Sequence, residues 1–290
     1  MMQENTVHLS REETDFFISL LTVGTGIIPR SSHRAGIQTY IEKKLAEKHI
    51  SVSDYKIKLL SDKELFMEFV NESTVNETYF FREEKQFAIL RDRYFPMWRA
   101  MFPAMPIKIW SAACSSGEEV YSLALLAKSC GIKPVITASD INSKVLEHCK
   151  TGIFKDSSIR SVDGFSFKSL LLPYQCEDGK IKFNDEIKSC IQTREINLSK
   201  ISEPGFGADL PKGQNIIFIR NVFIYFNQEL RAKILSVIAE HCLADGGIIF
   251  VSMSEIAQFD SSVVPPSLEK VMDGSVFYFR KKTSEVKSNV

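Results

Sequence analysis

Residues 107–130 read IKIWSAACSSGEEVYSLALLAKSC, and their order decides the fold. An apolar run of strand length is followed by a short polar loop around Gly117, and then by a helical pattern that starts at Glu118. The same alternation returns in PVITASDINSKVLEHCK (134–150), and again in NIIFI (215–219), QELRAKILSVIAEHC (228–242) and GIIFVSM (247–253). Parallel strands need long connections, usually helices, so this pattern predicts a doubly wound α/β domain. Gly131 and Pro134 are expected to close the first crossover helix, and Asp245, Gly246 and Gly247 the later one. SVFYFRKK (275–282) alternates like a last edge strand.

Outside this core the chain changes character. Residues 1–70 show helical spacing, as in Ile37, Tyr40, Ile41 and Leu45, and almost no strand signal, so they are expected to form an amino-terminal helical domain ahead of an α/β domain at 71–290. Between Asp156 and Glu195 the pattern weakens into short pieces, DGKIKF and SCIQTREI, around an Asp-Gly turn; these predict a small antiparallel β-insertion.

Composition excludes several classes. The 290 residues carry 36 Lys and Arg against 36 Asp and Glu. A nucleic-acid partner is not expected, since such affinity comes mainly from cations that replace condensed counterions. Six cysteines show no CxxC or Cys/His pair at zinc spacing, and are read as reduced thiols of a cytoplasmic protein. The apolar stretch Phe16–Leu21 is too short for a signal-peptide core or a membrane span, so membrane insertion is not expected. The five histidines (His8, His33, His49, His148, His241) fall outside every motif, which argues against a His-ligated metal or a His-based triad.

In this fold class ligands bind where strand carboxyl ends meet helix amino ends. The loop there, Cys114 to Glu119, is not a GxGxxG dinucleotide loop and lacks the lysine of a phosphate-binding loop. Two carboxylates, Glu118 and Glu119, stand on the helix's first turn, where they would repel a pyrophosphate. A ligand poor in phosphate and partly cationic fits, as S-adenosylmethionine does; alternatively the glutamates only favour the helix start. Asp140, directly after PVITAS, stands where an acid accepts ribose hydroxyls, or else caps the next helix. Asn76 or Thr78 could likewise cap the helix that follows them, and Phe80, Phe81 and Phe87 read as core.

With WSAACSSGEEVYSLALL the chain resembles the CheR family, methyltransferases that esterify glutamates of bacterial chemotaxis receptors. The resemblance continues in order through NETYFFRE (76–83), ASDINSKVLEHCKTGIF (138–154), INL (196–198) and IFIRNVFIYF (217–226), and more faintly through GIIPRSSHRAGIQTYIEKKL (26–45). It implies an S-adenosylmethionine-dependent methyltransferase domain at 71–290, with the small antiparallel β-subdomain at about 167–195. It further implies cofactor contacts at Asn76, Thr78, Arg82, Glu118, Glu119, Asp140, Asn197, Leu198, Arg220 and Asn221, and places Arg82 and Tyr225 beside the transferring methyl group. The product would be S-adenosylhomocysteine. The chain departs from the family pattern in three places: Val120 for Pro, Asn142 for the second Asp of Asp-Ile-Asp, and the pair Ser252-Met253 for Gly-His.

The implied substrate is a glutamate on the cytoplasmic helices of a methyl-accepting chemotaxis receptor. Glutamate is already ionised at neutral pH and needs no general base, which agrees with a site that lacks histidine. Arg30, Arg34, Lys43 and Lys44 in the helical region are expected either to form a docking surface for acidic receptor helices or to be an ordinary solvated face. The chain is expected to act as a monomer. Two other functions fit the same residues: a non-catalytic S-adenosylmethionine-binding adaptor, and a carboxyl methyltransferase of another substrate.

Overall fold

The computed structural model describes residues 8–160, 165–206 and 210–283. They form two compact units. One comprises the residues up to Val75 together with Tyr225–Asn227; the other comprises the rest of the chain from Asn76 onward. The boundary expected at residue 70 falls inside a helix, and Tyr225, expected in the α/β domain, groups with the helical unit.

The helical unit has four helices: α1 (Arg11–Thr25), α2 (Ser31–Lys48), α3 (Val52–Ser61) and α4 (Lys63–Ser73). Three of their starts are fixed by side chains. Ser10 and Glu13 form a reciprocal capping box on α1, Ser51 accepts the Asp54 N–H ahead of α3, and Asp62 accepts from Glu64 and Leu65 ahead of α4. The spacing of Ile37, Ile41 and Leu45 puts one face of α2 inward, and all three are buried with Phe17, Leu21, Tyr55 and Phe69. Gly24 leaves room for Phe66, since a Cβ there would press on the tip of its ring.

In the second unit α5 (Glu84–Ile89) and α6 (Phe95–Met101) precede β1 (Ile107–Ala112), α7 (Glu118–Ser129), β2 (Pro134–Asp140) and α8 (Ser143–Thr151). Then come β3 (Ile153–Lys155), β4 (Lys180–Lys182), α9 (Asp185–Lys188), β5 (Ile191–Glu195), β6 (Gln214–Ile219), α10 (Gln228–Val237), β7 (Leu243–Phe250), β8 (Leu268–Asp273) and β9 (Val276–Lys281). The main sheet has the order β5-β2-β1-β6-β7-β9-β8. Its first five strands are parallel and β9 runs antiparallel to both neighbours. Strands β1 and β6 are almost wholly buried, as a parallel sheet covered on both faces demands.

Three expectations need correction. Residues 189–196 do not belong to the antiparallel excursion: the short helix α9 turns the chain so that β5 joins β2 in parallel as the outer strand of the main sheet. The small sheet is instead β3 against β4, with the Asp178-Gly179 turn just ahead of β4, and residues 165–174 are 3-10 turns. Asp245, Gly246 and Gly247 lie within β7, where the register with β6 shifts, and the helix before it ends at Cys242. Finally, β9 is an inner strand whose residues Val276–Phe279 are all buried; the edge is β8, which reaches its place by a tight turn at Gly274. Among the described residues no helix is long and apolar enough to cross a membrane, and all six cysteines are free thiols.

Candidate functional site

The carboxyl ends of β1, β2 and β6 converge on one group of polar side chains. After β1 the backbone turns sharply, with Ala113 at φ 63°, Ser115 at 51° and Gly117 at 105°. Gly117 has no substitute: its φ is left-handed, and a Cβ would meet the Cys149 sulfur at 2.5 Å. The Cys114 N–H donates to the Ser139 carbonyl at 2.8 Å, which ties this loop to β2. Left-handed backbone recurs at Phe81, Glu83 and Asn221, so five of the six non-glycine residues with positive φ among those described belong to this unit. Such conformations cost energy and tend to collect at ligand sites.

Glu119 and Arg220, 101 residues apart, form a buried ion pair: Arg220 Nε donates to Glu119 Oε2 at 2.7 Å, and Ser111 Oγ donates to Glu119 Oε1 at 2.6 Å. Arg220 Nη1 donates to the Arg82 carbonyl at 2.7 Å and to Gln86 Oε1 at 2.9 Å. Its guanidinium stands over the Phe218 and Phe87 rings, at 5.2 and 5.7 Å from their centres. The apolar strand β6 thus delivers an arginine into an aromatic slot where its charge is met by hydrogen bonds on several sides. Glu118 accepts from Ser116 Oγ at 2.6 Å and from Ser158 Oγ at 2.9 Å. Both glutamates therefore bond to other side chains as well as occupying the first turn of α7.

Asp140 ends β2 and is buried. Its Oδ2 accepts the Ser115 N–H at 2.8 Å and its Oδ1 the Asn142 N–H at 3.0 Å. Burial pushes its carboxyl above the usual range, and the N–H groups of Asn142, Ser115 and Ile141 oppose that rise. It is not the helix cap: Asn142 caps α8 by accepting from Lys144 and Val145, a role that Asp would fill equally well. Asn197 accepts from both N–H and Oγ of Ser199, ahead of a 3-10 turn that starts at the buried Leu198.

The segment ahead of α5 holds Asn76, exposed, and Thr78, half-buried. Neither caps α5, whose N-cap position is Glu83. Arg82 Nη1 donates to the Glu77 carbonyl at 2.9 Å, with its guanidinium 5.5 Å from the Tyr79 ring centre. Within the helical unit, the Tyr225 carbonyl accepts the Ile28 N–H at 2.8 Å, and the Tyr225 ring meets His33 edge-on at 6.5 Å. Arg30 is exposed at the start of α2; Arg34 pairs with Asp15, Lys44 with Glu68 at 2.8 Å, and Lys43 with Glu47 at 3.7 Å.

Several members of the polar group are not among the site residues expected from sequence: Ser111, Glu83, Gln86, Ser252 and Glu255. One signal was available, since Ser252 and Glu255 have capping-box spacing and the structure builds that box. Ser115 supplies a further observation. Its Oγ is buried and has no hydrogen-bond partner. A loop with an unmet hydroxyl beside two buried carboxylates, Glu119 and Asp140, suits a ligand that offers amine and hydroxyl donors and carries no phosphate, as S-adenosylmethionine does.

The comparisons with known proteins agree with this chemistry. Residues 76–266 match the family described as "CheR methyltransferase, SAM binding domain". A chemotaxis protein methyltransferase of Vibrio anguillarum is 31% identical over 260 residues, covering 86% of this chain and 90% of its own. Chemotaxis protein methyltransferase 1 of Vibrio cholerae is 33% identical, covering 70% and 77%. That of Borreliella burgdorferi is 32% identical over 57% and 59%.

Proposed function

The chain belongs to the CheR methyltransferase family, and from that premise we propose that it moves the methyl group of S-adenosylmethionine onto glutamate carboxylates of chemotaxis receptors, leaving methyl esters and S-adenosylhomocysteine. The observation that carries the reading is the buried pair of acids, Glu119 on the first turn of α7 and Asp140 at the end of β2, next to the unmet Ser115 hydroxyl. It fits a nucleoside with an amino group and no phosphate.

The bound donor supplies an electrophilic methyl carbon. Asp140 accepts the ribose hydroxyls, while Glu119 and Asn221 stand among the contacts to the rest of the donor. Arg220 holds Glu119 in place and keeps its charge local. No residue need remove a proton, because the attacking glutamate is ionised at neutral pH. What the protein must provide is alignment: a carboxylate oxygen has to approach the methyl carbon opposite sulfur, within about 3–3.5 Å. Arg82 orients a carboxylate and Tyr225 steadies the donor by its hydroxyl. Arg82 must not bind the nucleophile tightly, because that would stabilise the ionised carboxylate of the ground state more than the transition state, in which its charge is being neutralised. Arg30, Arg34, Lys43 and Lys44 meet the acidic methylation helices of the receptor.

Incubation with methyl-labelled S-adenosylmethionine and membranes carrying receptors tests this. Label should enter the receptor and leave as methanol in mild alkali. Label that survives alkali would overturn the ester reading, and cofactor binding without transfer to any receptor would favour an adaptor.

A further inference from the structure

The polar group around Arg220 continues into a loop that none of the cofactor motifs includes. Strand β7 ends at Phe250, and Ser252 opens one 3-10 turn, Met253–Gln258. Within it Glu255 is fully buried. Its carboxylate accepts three backbone N–H groups: Asn221 at 2.9 Å and Ser252 at 3.1 Å on Oε2, and Ile224 at 3.2 Å on Oε1. Only the Ser252 bond belongs to the capping box. The other two cross to the segment after β6, which begins with Arg220 and Asn221.

Asn221 has a left-handed backbone, φ 57°, a conformation that Asn tolerates better than other side-chain-bearing residues and that the bonds around it hold in place. Glu255 fixes its N–H. Ser252, also fully buried, fixes its side chain: Ser252 Oγ accepts from Asn221 Nδ2 at 3.0 Å and donates to the Glu83 carboxylate. Glu83 in turn takes the Met253 N–H at 3.2 Å and faces Arg220 Nη1 at 3.7 Å. A carboxylate buried this deeply is costly unless its bonds are all made, so its value lies in the conformation it enforces.

We infer that Glu255, seconded by Ser252, is a positioning residue that holds Asn221 in its cofactor-contacting conformation. The inference rests on the proposed S-adenosylmethionine site. Without Glu255 the N–H groups of Asn221 and Ile224 lose their acceptor, the left-handed turn relaxes, and the Asn221 amide leaves its place. Met253 and Ser254 need no ligand contact for this to hold.

The test is calorimetric titration with S-adenosylhomocysteine, alongside thermal unfolding, on the parent and on Glu255→Gln, Glu255→Ala and Ser252→Ala. Glu255→Ala should weaken binding about tenfold or more, the size expected when buried donors lose their acceptor. Glu255→Gln retains one acceptor oxygen and should recover part of that loss. Ser252→Ala should cost about threefold, as for one neutral hydrogen bond. In kinetics the KM for S-adenosylmethionine should rise more than kcat falls. Ile249→Val, a core change in β7, provides the control for destabilisation alone and should leave affinity at the parent value. Parent-like affinity in folded Glu255→Gln and Ser252→Ala would overturn the inference and leave the proposed function standing. A parent that binds no S-adenosylhomocysteine would overturn the proposed function, and the inference with it.

Discussion

The ion pairs of α2 and the ion pair of the candidate site treat charge in opposite ways. In the helical unit Arg34, Lys43 and Lys44 pair with Asp15, Glu47 and Glu68, and each of these side chains keeps a fifth or more of its surface in solvent. In the α/β unit the Arg220 side chain is 2% exposed and its partner Glu119 11%. Exposed pairs contribute little and exchange partners readily. A buried pair is strongly coupled to its surroundings, because losing one member strands the other. The first arrangement suits a surface that must accept an acidic partner, and the second suits a site that must not move.

The sharpest way to break this contrast is to remove the buried cation. Arg220→Ala leaves Glu119 uncompensated and should cost about 3–5 kcal/mol of stability, read by chemical denaturation, along with cofactor binding. The same change at Arg34 should cost less than about 1 kcal/mol. Comparable losses at both positions would erase the distinction.

Arg82→Ala and Tyr225→Phe come next, because both preserve the Glu119–Arg220 pair. Loss of alignment should lower turnover about a hundredfold, while S-adenosylhomocysteine affinity stays within a few-fold of the parent. Calorimetry and a tritium-methyl transfer assay separate the two quantities. Full activity in both variants would remove Arg82 and Tyr225 from the mechanism.

Acidification gives a smaller and graded effect. Burial raises Asp140 above the ordinary carboxylate range, with Glu119 and Cys114 as neighbouring titratable groups. A raised folded-state pKa means that Asp140 adds to stability below its unfolded value, and that this contribution is lost as pH rises through the folded value. If Asp140 holds the cofactor hydroxyls as proposed, it must be ionised to do so, and affinity then runs the other way, full above the raised pKa and falling about tenfold per pH unit below it. Titrations with S-adenosylhomocysteine across the acid range should show this slope in the parent and a flat, weak response in Asp140→Asn. An unchanged slope in that variant would assign the titration elsewhere.

The sequence makes the elements that carry the proposed contacts easier to read than what supports them. Strand β1, Gly117 and α7 are legible because an apolar run, a glycine and two acids follow local rules of strand, turn and helix start. Asp140 is legible because a strand ends there. The inner position of β9 is not, since sheet order depends on which edge a late hairpin meets, and FYF reads alike on an inner or an outer strand. β5 is misread for a similar reason: the short helix α9 reverses the chain between β4 and β5 without a strong helical signal. The capping-box spacing of Ser252 and Glu255 is legible, but the reach of Glu255 to Asn221 and Ile224 and of Glu83 to Ser252 and Arg220 is not, because those partners lie 31 to 169 residues away.

The gentlest probe of the contrast is charge reversal on α2. Arg34→Glu and Lys44→Glu each exchange an exposed attraction for a repulsion toward an acidic receptor helix, and also turn Asp15 or Glu68 from partner into like-charged neighbour. Each should weaken receptor binding by a few-fold at low salt, on the scale of about 0.2–1 kcal/mol for an exposed pair, and leave S-adenosylhomocysteine affinity unchanged. Salt should shrink the difference between parent and variants, because screening removes the attraction that the parent alone enjoys. A salt-independent loss would mean that α2 had lost its packing through Ile37, Ile41 and Leu45, and circular dichroism of the variants distinguishes that outcome from lost attraction.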